Sequence, residues 1–247
     1  ISATRGNHGQ SIAHAASRFG MAATIVVPHG NSIEKNAAMR AWGAEVIEHG
    51  DDFQEAAEFA AKHATTEDLV MIPPFHRELV RGVATYGLEL FDAVSVLDRV
   101  YVPVGMGSGI CSLITARDAL GLETEIIGVV ASGADAIAQS FKAGKVVETA
   151  AARTFADGVA CRSPNPSALD IILKGAADIV TVDEEQIRYA MRLYFSSCHT
   201  VAEGAGAVPL AAAIAGRDDN IGKKVAVILT GANIDRAEYA RILAGDI

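Results

Sequence analysis

Three short segments hold the residue types that could do chemistry. Ser2-Ala3-Thr4-Arg5-Gly6-Asn7-His8-Gly9-Gln10 places a guanidinium, an amide and an imidazole among glycines, just ahead of a helical pattern. The strand-like run Val100-Tyr101-Val102-Pro103-Val104 leads into Gly105-Met106-Gly107-Ser108-Gly109, where another helix should begin. Near the end, Val227-Ile228-Leu229 stops on the hydroxyl of Thr230 and the turn Gly231-Ala232-Asn233. Closely spaced glycines after a strand let backbone N–H groups converge, and a helix start adds unpaired donors and the positive end of its dipole. Such a place suits an anion. The glycine loop holds no lysine or arginine, so phosphate affinity would rest on N–H groups, helix polarity and the Ser108 hydroxyl. On these residues alone a plain strand-to-helix turn explains the loop equally well. A dinucleotide site fits less well, because no Asp or Glu stands suitably after the next strand.

The elements that must position these segments alternate short apolar runs with amphipathic stretches, the pattern of βα units around a parallel sheet. Ile12, Ala15, Ala16 and Phe19 fall at helical spacing up to Gly20, and Thr24 to Val27 reads as a buried strand stopped by Pro28. Asn31 or Ser32 can cap a helix through Trp42 that ends at Gly43. A strand at Ala44 to Ile47, a helix around Phe53 to Ala60 and a strand at Leu69 to Ile72 complete a first αβ unit before Pro73-Pro74. Helices are expected around Glu78 to Leu90, from the glycine loop to Gly121, and at Ala134 to Phe141, Ser167 to Lys174, Glu184 to Phe195 and Ala205 to Ala215. Strands are expected at Ile126 to Val130 and Ile179 to Val182, with Val225 to Leu229 as the last central strand. Ala156 to Asn165 reads as irregular.

Composition narrows the class. A net charge of −9 and scattered basic residues argue against a nucleic-acid partner. Half of the residues are hydrophobic, enough for a sizeable core. Cys111, Cys161 and Cys198 have no metal-type spacing and fit a reducing compartment. No uncharged apolar stretch reaches the roughly eighteen residues of a membrane span. No zinc signature, HExxH or GxSxG elbow appears among the histidines, cysteines and serines. Asp183, Glu184 and Glu185 read as a solvated or capping acidic turn. Ile1 does not look like a natural start, so the chain is expected to lack an amino-terminal part.

Together the Asn7-His8 segment, the glycine loop and the Thr230 turn resemble the cofactor cradle of the threonine and serine dehydratase family, in its serine racemase-like branch, among fold type II pyridoxal-phosphate enzymes. The resemblance spans all 247 residues. It implies an α/β fold of two three-layer α/β/α domains with mainly parallel sheets: a small cofactor-facing domain at 1–76 and a larger one at 77–247. It also implies pyridoxal 5′-phosphate as cofactor, and no metal ligands are assigned. Gly105, Met106, Gly107, Ser108 and Gly109 would hold the phosphate, with the Met106 side chain outward or capping the pocket. Asn7 would meet the ring hydroxyl and Thr230 the pyridine nitrogen. A neutral hydroxyl there does not protonate the ring nitrogen, which favours β-elimination over transamination. Glu203, in a family-like Glu-Gly segment, would tune the site or assist a proton transfer; a helix cap is its simpler role. Thr4, Arg5, Gly6, Asn7, His8 and Asp157 would line the substrate, and for His8 a structural role competes with proton transfer.

The implied activity is that of a lyase converting a hydroxyamino acid, threonine or serine, to a 2-oxoacid and ammonia. Arg5 departs from the serine of the racemase relatives, which counts against racemisation. Its planar fork could instead pair with the second carboxylate of 3-hydroxyaspartate, or simply form a surface or lid salt bridge. The family carries its Schiff-base lysine a few tens of residues before the Asn-His segment. Lys35, Lys62, Lys142, Lys145, Lys174, Lys223 and Lys224 lack that context, so these 247 residues alone are expected to be inactive. Many relatives bind a structural cation through a Glu and an Asp at positions that here carry Val130 and Ala136, so that site should be absent or remodelled. A cytoplasmic homodimer with a small hydroxyamino-acid substrate, and no nucleic-acid or membrane partner, completes the expectation. The competing readings are a non-catalytic ligand-binding homologue and a cysteine synthase-like β-replacement enzyme.

Overall fold

The computed structural model describes residues 1–94 and 96–246. They fall into two compact units, Ile1–Pro74 with the segment from Asn233 onward, and Phe75–Ala232. Each unit has its own parallel sheet.

In the first unit β1 (Ser2–Ala3), β2 (Thr24–Val27) and β3 (Glu45–Glu48) pair in parallel in that order. The central strand is apolar on both faces because helices cover both. Ile25 and Val27 point into a cluster with Ala13 of α1 (Asn7–Arg18) and Met39 of α2 (Ile33–Ala41). Val26, one residue out of phase, packs with Ala3 and with Ala56 and Ala60 of α3 (Phe53–Thr66). That alternation of a β-strand makes the three α/β/α layers. Ser32 caps α2 by accepting from Lys35 N at 3.1 Å, and Asp52 caps α3 by accepting from Glu55 N at 2.9 Å.

The second unit has a four-stranded parallel sheet ordered β6 (Asp178–Val182), β5 (Glu125–Ala131), β4 (Arg99–Pro103), β7 (Val225–Val227). Its core joins Val100, Val102 and Val104 to Ile110 and Leu113 of α5 (Ser108–Ala119), with Ile126, Val130 and Ile172. Ile110, Ile126 and Ile172 are fully buried, each worth about 1.5–3 kcal/mol relative to exposure. The remaining helices are α4 (Arg77–Ala93), α6 (Ala136–Ala143), α7 (Pro166–Gly175), α8 (Glu184–Cys198) and α9 (Gly204–Ala215), and α10 (Arg236–Ala244) belongs to the first unit. A capping box between Asp183 and Gln186 starts α8.

Four expectations need revision. Ser2–Ala3 forms a strand and Arg236–Ala244 the helix α10, neither of which was foreseen. Leu69 to Ile72 is not a strand: Val70 is 77% exposed, and the run forms no ladder, though Ile1 donates to Val70 O and accepts from Ile72 N, and Ser2 Oγ donates to Ile72 O, each at 2.8 Å. Pro73-Pro74 then offers no donor to extend the pairing. The last strand is short and lies beside β4 alone, at the edge of the described sheet, since the chain turns after Ile228 N donates to Tyr101 O at 3.0 Å. No described helix is long and apolar enough to cross a membrane.

Candidate functional site

In the first unit the carboxyl end of β1 feeds through residues 4–6 into α1, the place where parallel sheets offer helix starts to ligands. Thr4 is buried, and its Oγ1 accepts from Gly6 N at 2.9 Å and Gly9 N at 3.2 Å, so the hydroxyl organises the turn itself. Gly6 is the N-cap, without a side-chain cap, and the first turn of α1 holds no acid. Asn7 opens the helix, and its Oδ1 accepts from Asn233 Nδ2 at 2.6 Å. Arg5 has its Nε buried with no acceptor and makes no ion pair among the described residues, so the salt bridge considered for it is not seen there. Lys35, one of the lysines that lack the Schiff-base context, is 6% exposed, its stem lying so close that a methyl group on Gly6 would sit 3.3 Å from its Cε.

His8 is deeply set, and its Nε2 is buried without a partner. Burial pushes its imidazole below the ordinary range, and a hydrogen bond with the Pro73 backbone opposes the shift in part. A depressed folded pKa means that the unfolded chain binds more protons below about pH 6.5, so the stability from His8 is complete above that pH and is lost as pH falls. In thermal melts at pH 7.5 and 5.5, His8→Asn is expected to lose less stability on acidification than the unsubstituted protein. Parallel losses would contradict the neutral, structural imidazole.

In the second unit β4 ends at Pro103 and the loop Val104–Gly107 turns into α5. Gly107 is the N-cap in the left-handed region, φ 101°, which a residue with a side chain rarely adopts. The first helical bond into this turn is Cys111 N to Gly107 O at 3.0 Å, so the N–H groups of Ser108, Gly109 and Ile110 precede the intrahelical ladder. No acid stands in this first turn. The donor set is therefore suited to a multiply charged anion, most of all a phosphate, without any cationic side chain. Met106 does not simply face outward: its Sδ lies 3.7 Å from Sγ of buried Cys161, whose thiol burial pushes up to about 11 and so keeps protonated.

Close backbone approach gathers the other expected residues of this unit around the loop. A methyl group on Gly105 would collide with the Gly158 carbonyl; one on Gly158 would stand 2.7 Å from Ala205 Cβ; one on Gly206 would stand 2.6 Å from Gly231 O. The segments carrying Asp157, Glu203 and Thr230 are thus neighbours in a chain of contacts that begins at the glycine loop. Asp157 opens a short 3-10 turn, Asp157–Val159. Glu203 is 2% exposed at the N-cap position of α9, but its side chain makes no cap bond, so the simple capping role is not what the structure shows. Its N–H donates to Gly231 O at 3.1 Å, next to Thr230, whose side chain is exposed at the end of the β7 run.

Sequence reasoning missed two residues here. Glu184, read as part of a solvated turn, accepts from Phe155 N at 3.2 Å, and Arg188, one turn later on α8, stacks 4.9 Å above the Phe155 ring. They brace the segment before Asp157 from outside it. At the former cation positions Val130 and Ala136 are fully buried, and Gly133 O accepts from Arg153 N at 2.7 Å. A surface groove of about 550 Å³ along α3, lined by His49, Phe59 and His63 among others, includes none of the expected site residues.

A family model described as pyridoxal-phosphate dependent enzyme matches residues 1–231. This chain belongs to that family. The chain is similar to the L-threonine ammonia-lyase of Thermotoga maritima, with 34% identity over 244 residues, covering 98% of this chain and 61% of that protein. It is 32% identical over 247 residues to the catabolic L-threonine dehydratase TdcB of Staphylococcus aureus strain N315, covering 98% of this chain and 71% of that protein. Among solved structures it resembles the processed form of threonine deaminase isoform 2 from Solanum lycopersicum, with TM-score 0.91, 30% identity, and coverage of 99% of this chain and 73% of that one. The chain is thus of fold type II, in the threonine and serine dehydratase superfamily of pyridoxal-phosphate dependent enzymes, and its cofactor is pyridoxal 5′-phosphate. The donors at the start of α5 fit the phosphate of that cofactor.

Proposed function

We propose that the protein carrying this chain is a pyridoxal-phosphate-dependent hydroxyamino-acid ammonia-lyase, a threonine or serine dehydratase that yields a 2-oxoacid and ammonia. The observation that carries the reading is the acid-free start of α5, with Gly107 in the left-handed region and three N–H groups ahead of the helical ladder. In this reading Gly105 to Gly109 and the Ser108 hydroxyl hold the phosphate, Asn7 meets the ring hydroxyl oxygen and the Thr230 hydroxyl the pyridine nitrogen. Thr4 holds the Gly6 N–H and shapes the turn from Arg5 to His8, whose other N–H groups take the substrate carboxylate, with Asp157 lining the same substrate and Glu203 moving or holding a proton near the ring edge. When bound, the cofactor supplies an electron sink for the pair left by the departing α-proton. A neutral Thr230 hydroxyl keeps that sink moderate, which suits loss of a β-hydroxyl. The same reading expects a cytoplasmic homodimer.

A second substrate, 3-hydroxyaspartate, is favoured by one observation: the buried Nε of Arg5 has no acceptor among the described residues. A planar guanidinium in that state suits a second carboxylate. The deciding assay measures 2-oxoacid and ammonia from L-threonine, L-serine and 3-hydroxyaspartate, using the full-length protein loaded with cofactor and its Arg5→Ser variant. If Arg5 reads the diacid, the variant should lose about 100-fold or more in kcat/KM for 3-hydroxyaspartate alone, the size of a lost charged recognition group. Equal turnover of the diacid by both proteins removes the second reading. Bound cofactor with no product from any of the three substrates removes the lyase.

A further inference from the structure

From Asn233 onward the chain belongs to the first unit, and Asn233, Asp235 and Arg236 bond residues at the starts of α1 and α2. Asn233 Nδ2 donates to Asn7 Oδ1 at 2.6 Å. Asp235 Oδ1 accepts from Ser32 Oγ and, at 3.3 Å, from Glu34 N. Arg236 N donates to Glu34 Oε1 at 3.1 Å. Sequence reasoning saw Asn233 only as part of a turn, yet it spans 226 positions to reach the first residue of α1.

An asparagine amide is nearly the same shape either way up but opposite in function, with an acceptor oxygen at one end and two donor hydrogens at the other. Which end meets a ligand is set by what the other end bonds. A donor on Asn7 Oδ1 therefore favours the orientation that turns Nδ2 away from it. We propose that Asn233 is a positioning residue: by donating to Asn7 Oδ1 it turns the Nδ2 hydrogens of Asn7 toward an acceptor oxygen of the bound cofactor. The inference rests on the reading that Asn7 meets the ring hydroxyl oxygen. Inverted, Asn7 would set its own oxygen against that oxygen and replace a hydrogen bond by a repulsion.

A bond that merely latches makes a different forecast from a bond that orients. Asn233 is exposed, so substitutions there leave the core intact. In Asn233→Asp the new carboxylate can only accept, so Asn7 must invert to bond it; the latch survives and the orientation is reversed. In Asn233→Ala the latch is lost, but no acceptor is set against Asn7 Oδ1. Orientation therefore makes Asp the worse variant, whereas a latch makes Ala the worse one.

The experiment titrates pyridoxal 5′-phosphate into the full-length protein and these variants, following equilibrium dialysis and the visible absorption of the bound cofactor, with thermal melts of the cofactor-free forms alongside. Expected are a loss of about threefold to fivefold in affinity for Asn233→Ala and about thirtyfold or more for Asn233→Asp, with a changed absorption maximum in the latter. In an Asn7→Ala background the gap between the two Asn233 variants should close to within about threefold, because the residue through which they act is gone. A wild-type protein that binds the cofactor while the Asp variant binds it as well as the Ala variant overturns this inference and leaves the proposed function standing. A gap that persists in the Asn7→Ala background overturns it too, assigning the loss to charge. A wild-type protein that does not bind the cofactor overturns both.

Discussion

Gly105→Ala is expected to lower the unfolding free energy by about 1–3 kcal/mol and to weaken cofactor binding by about tenfold or more. The reason is contact rather than backbone freedom. An added methyl group meets the carbonyl oxygen of Gly158, with the Gly158 carbon at 3.4 Å and Val159 Cα at 3.8 Å. These are backbone atoms, which no rotamer change can withdraw. Val159 N is tied to Ala156 O at 2.9 Å and Ala160 N to Asp157 O at 3.2 Å, so the segment cannot yield piecemeal. The glycine loop must therefore move off the segment that carries Asp157, and the N–H groups ahead of α5 lose their aim. Gly109→Ala makes the contrast, since its methyl group would find only ordinary contacts of 3.8 Å to Val102 Cγ2, 3.9 Å to Pro103 O and 4.0 Å to Tyr86 Oη. Inside a helix that change should leave stability unaltered or raise it by up to about 1 kcal/mol. Urea unfolding of both variants reads the comparison, and equal destabilisation would refute the contact argument.

The fold was legible where local signals suffice. Thr24 to Val27 is β-branched throughout, and it proved to be the central strand, with apolar Ile25, Val26 and Val27 buried on both faces. Ser32 capped its helix, and Asp183 proved to belong to a capping box. Leu69 to Ile72 shows where such signals mislead. Its residues have strand propensity, but Val70 is 77% exposed and the run bonds Ile1 and Ser2 without forming a ladder. Ser2–Ala3 failed in the opposite sense, since two small residues carry no pattern and become a strand only because β2 pairs with them.

The candidate site was legible as segments and illegible as side-chain partners. The glycine loop, the Asn7 turn and the Thr230 turn stand out because glycine, asparagine and a strand-end hydroxyl break the surrounding pattern. Glu184 on Phe155 N and Asn233 on Asn7 join residues 29 and 226 positions apart, and nothing in either stretch announces the other. Lys35 is the same case in reverse. A lysine on an amphipathic helix reads as exposed, and only the glycine at position 6 makes room for its buried stem.

The central claim is that the start of α5 takes the cofactor's phosphate through backbone N–H groups and the Ser108 hydroxyl, without a cationic side chain. A phosphate carries a charge of about −1.5 to −2 near neutral pH. Each charge-assisted bond from an N–H group is worth about 1.5–3 kcal/mol, so even two of them amount to about 3–6 kcal/mol, or two to four powers of ten in affinity. Pyridoxamine 5′-phosphate and pyridoxamine share one ring and one aminomethyl group and neither can close to a hemiacetal, so whatever the rest of the site does with those groups cancels when the two ligands are compared. The most direct test is therefore parallel equilibrium dialysis of pyridoxamine 5′-phosphate and pyridoxamine against the full-length protein. The account requires pyridoxamine to bind at least about 100-fold more weakly. Affinities within about threefold of each other would contradict it.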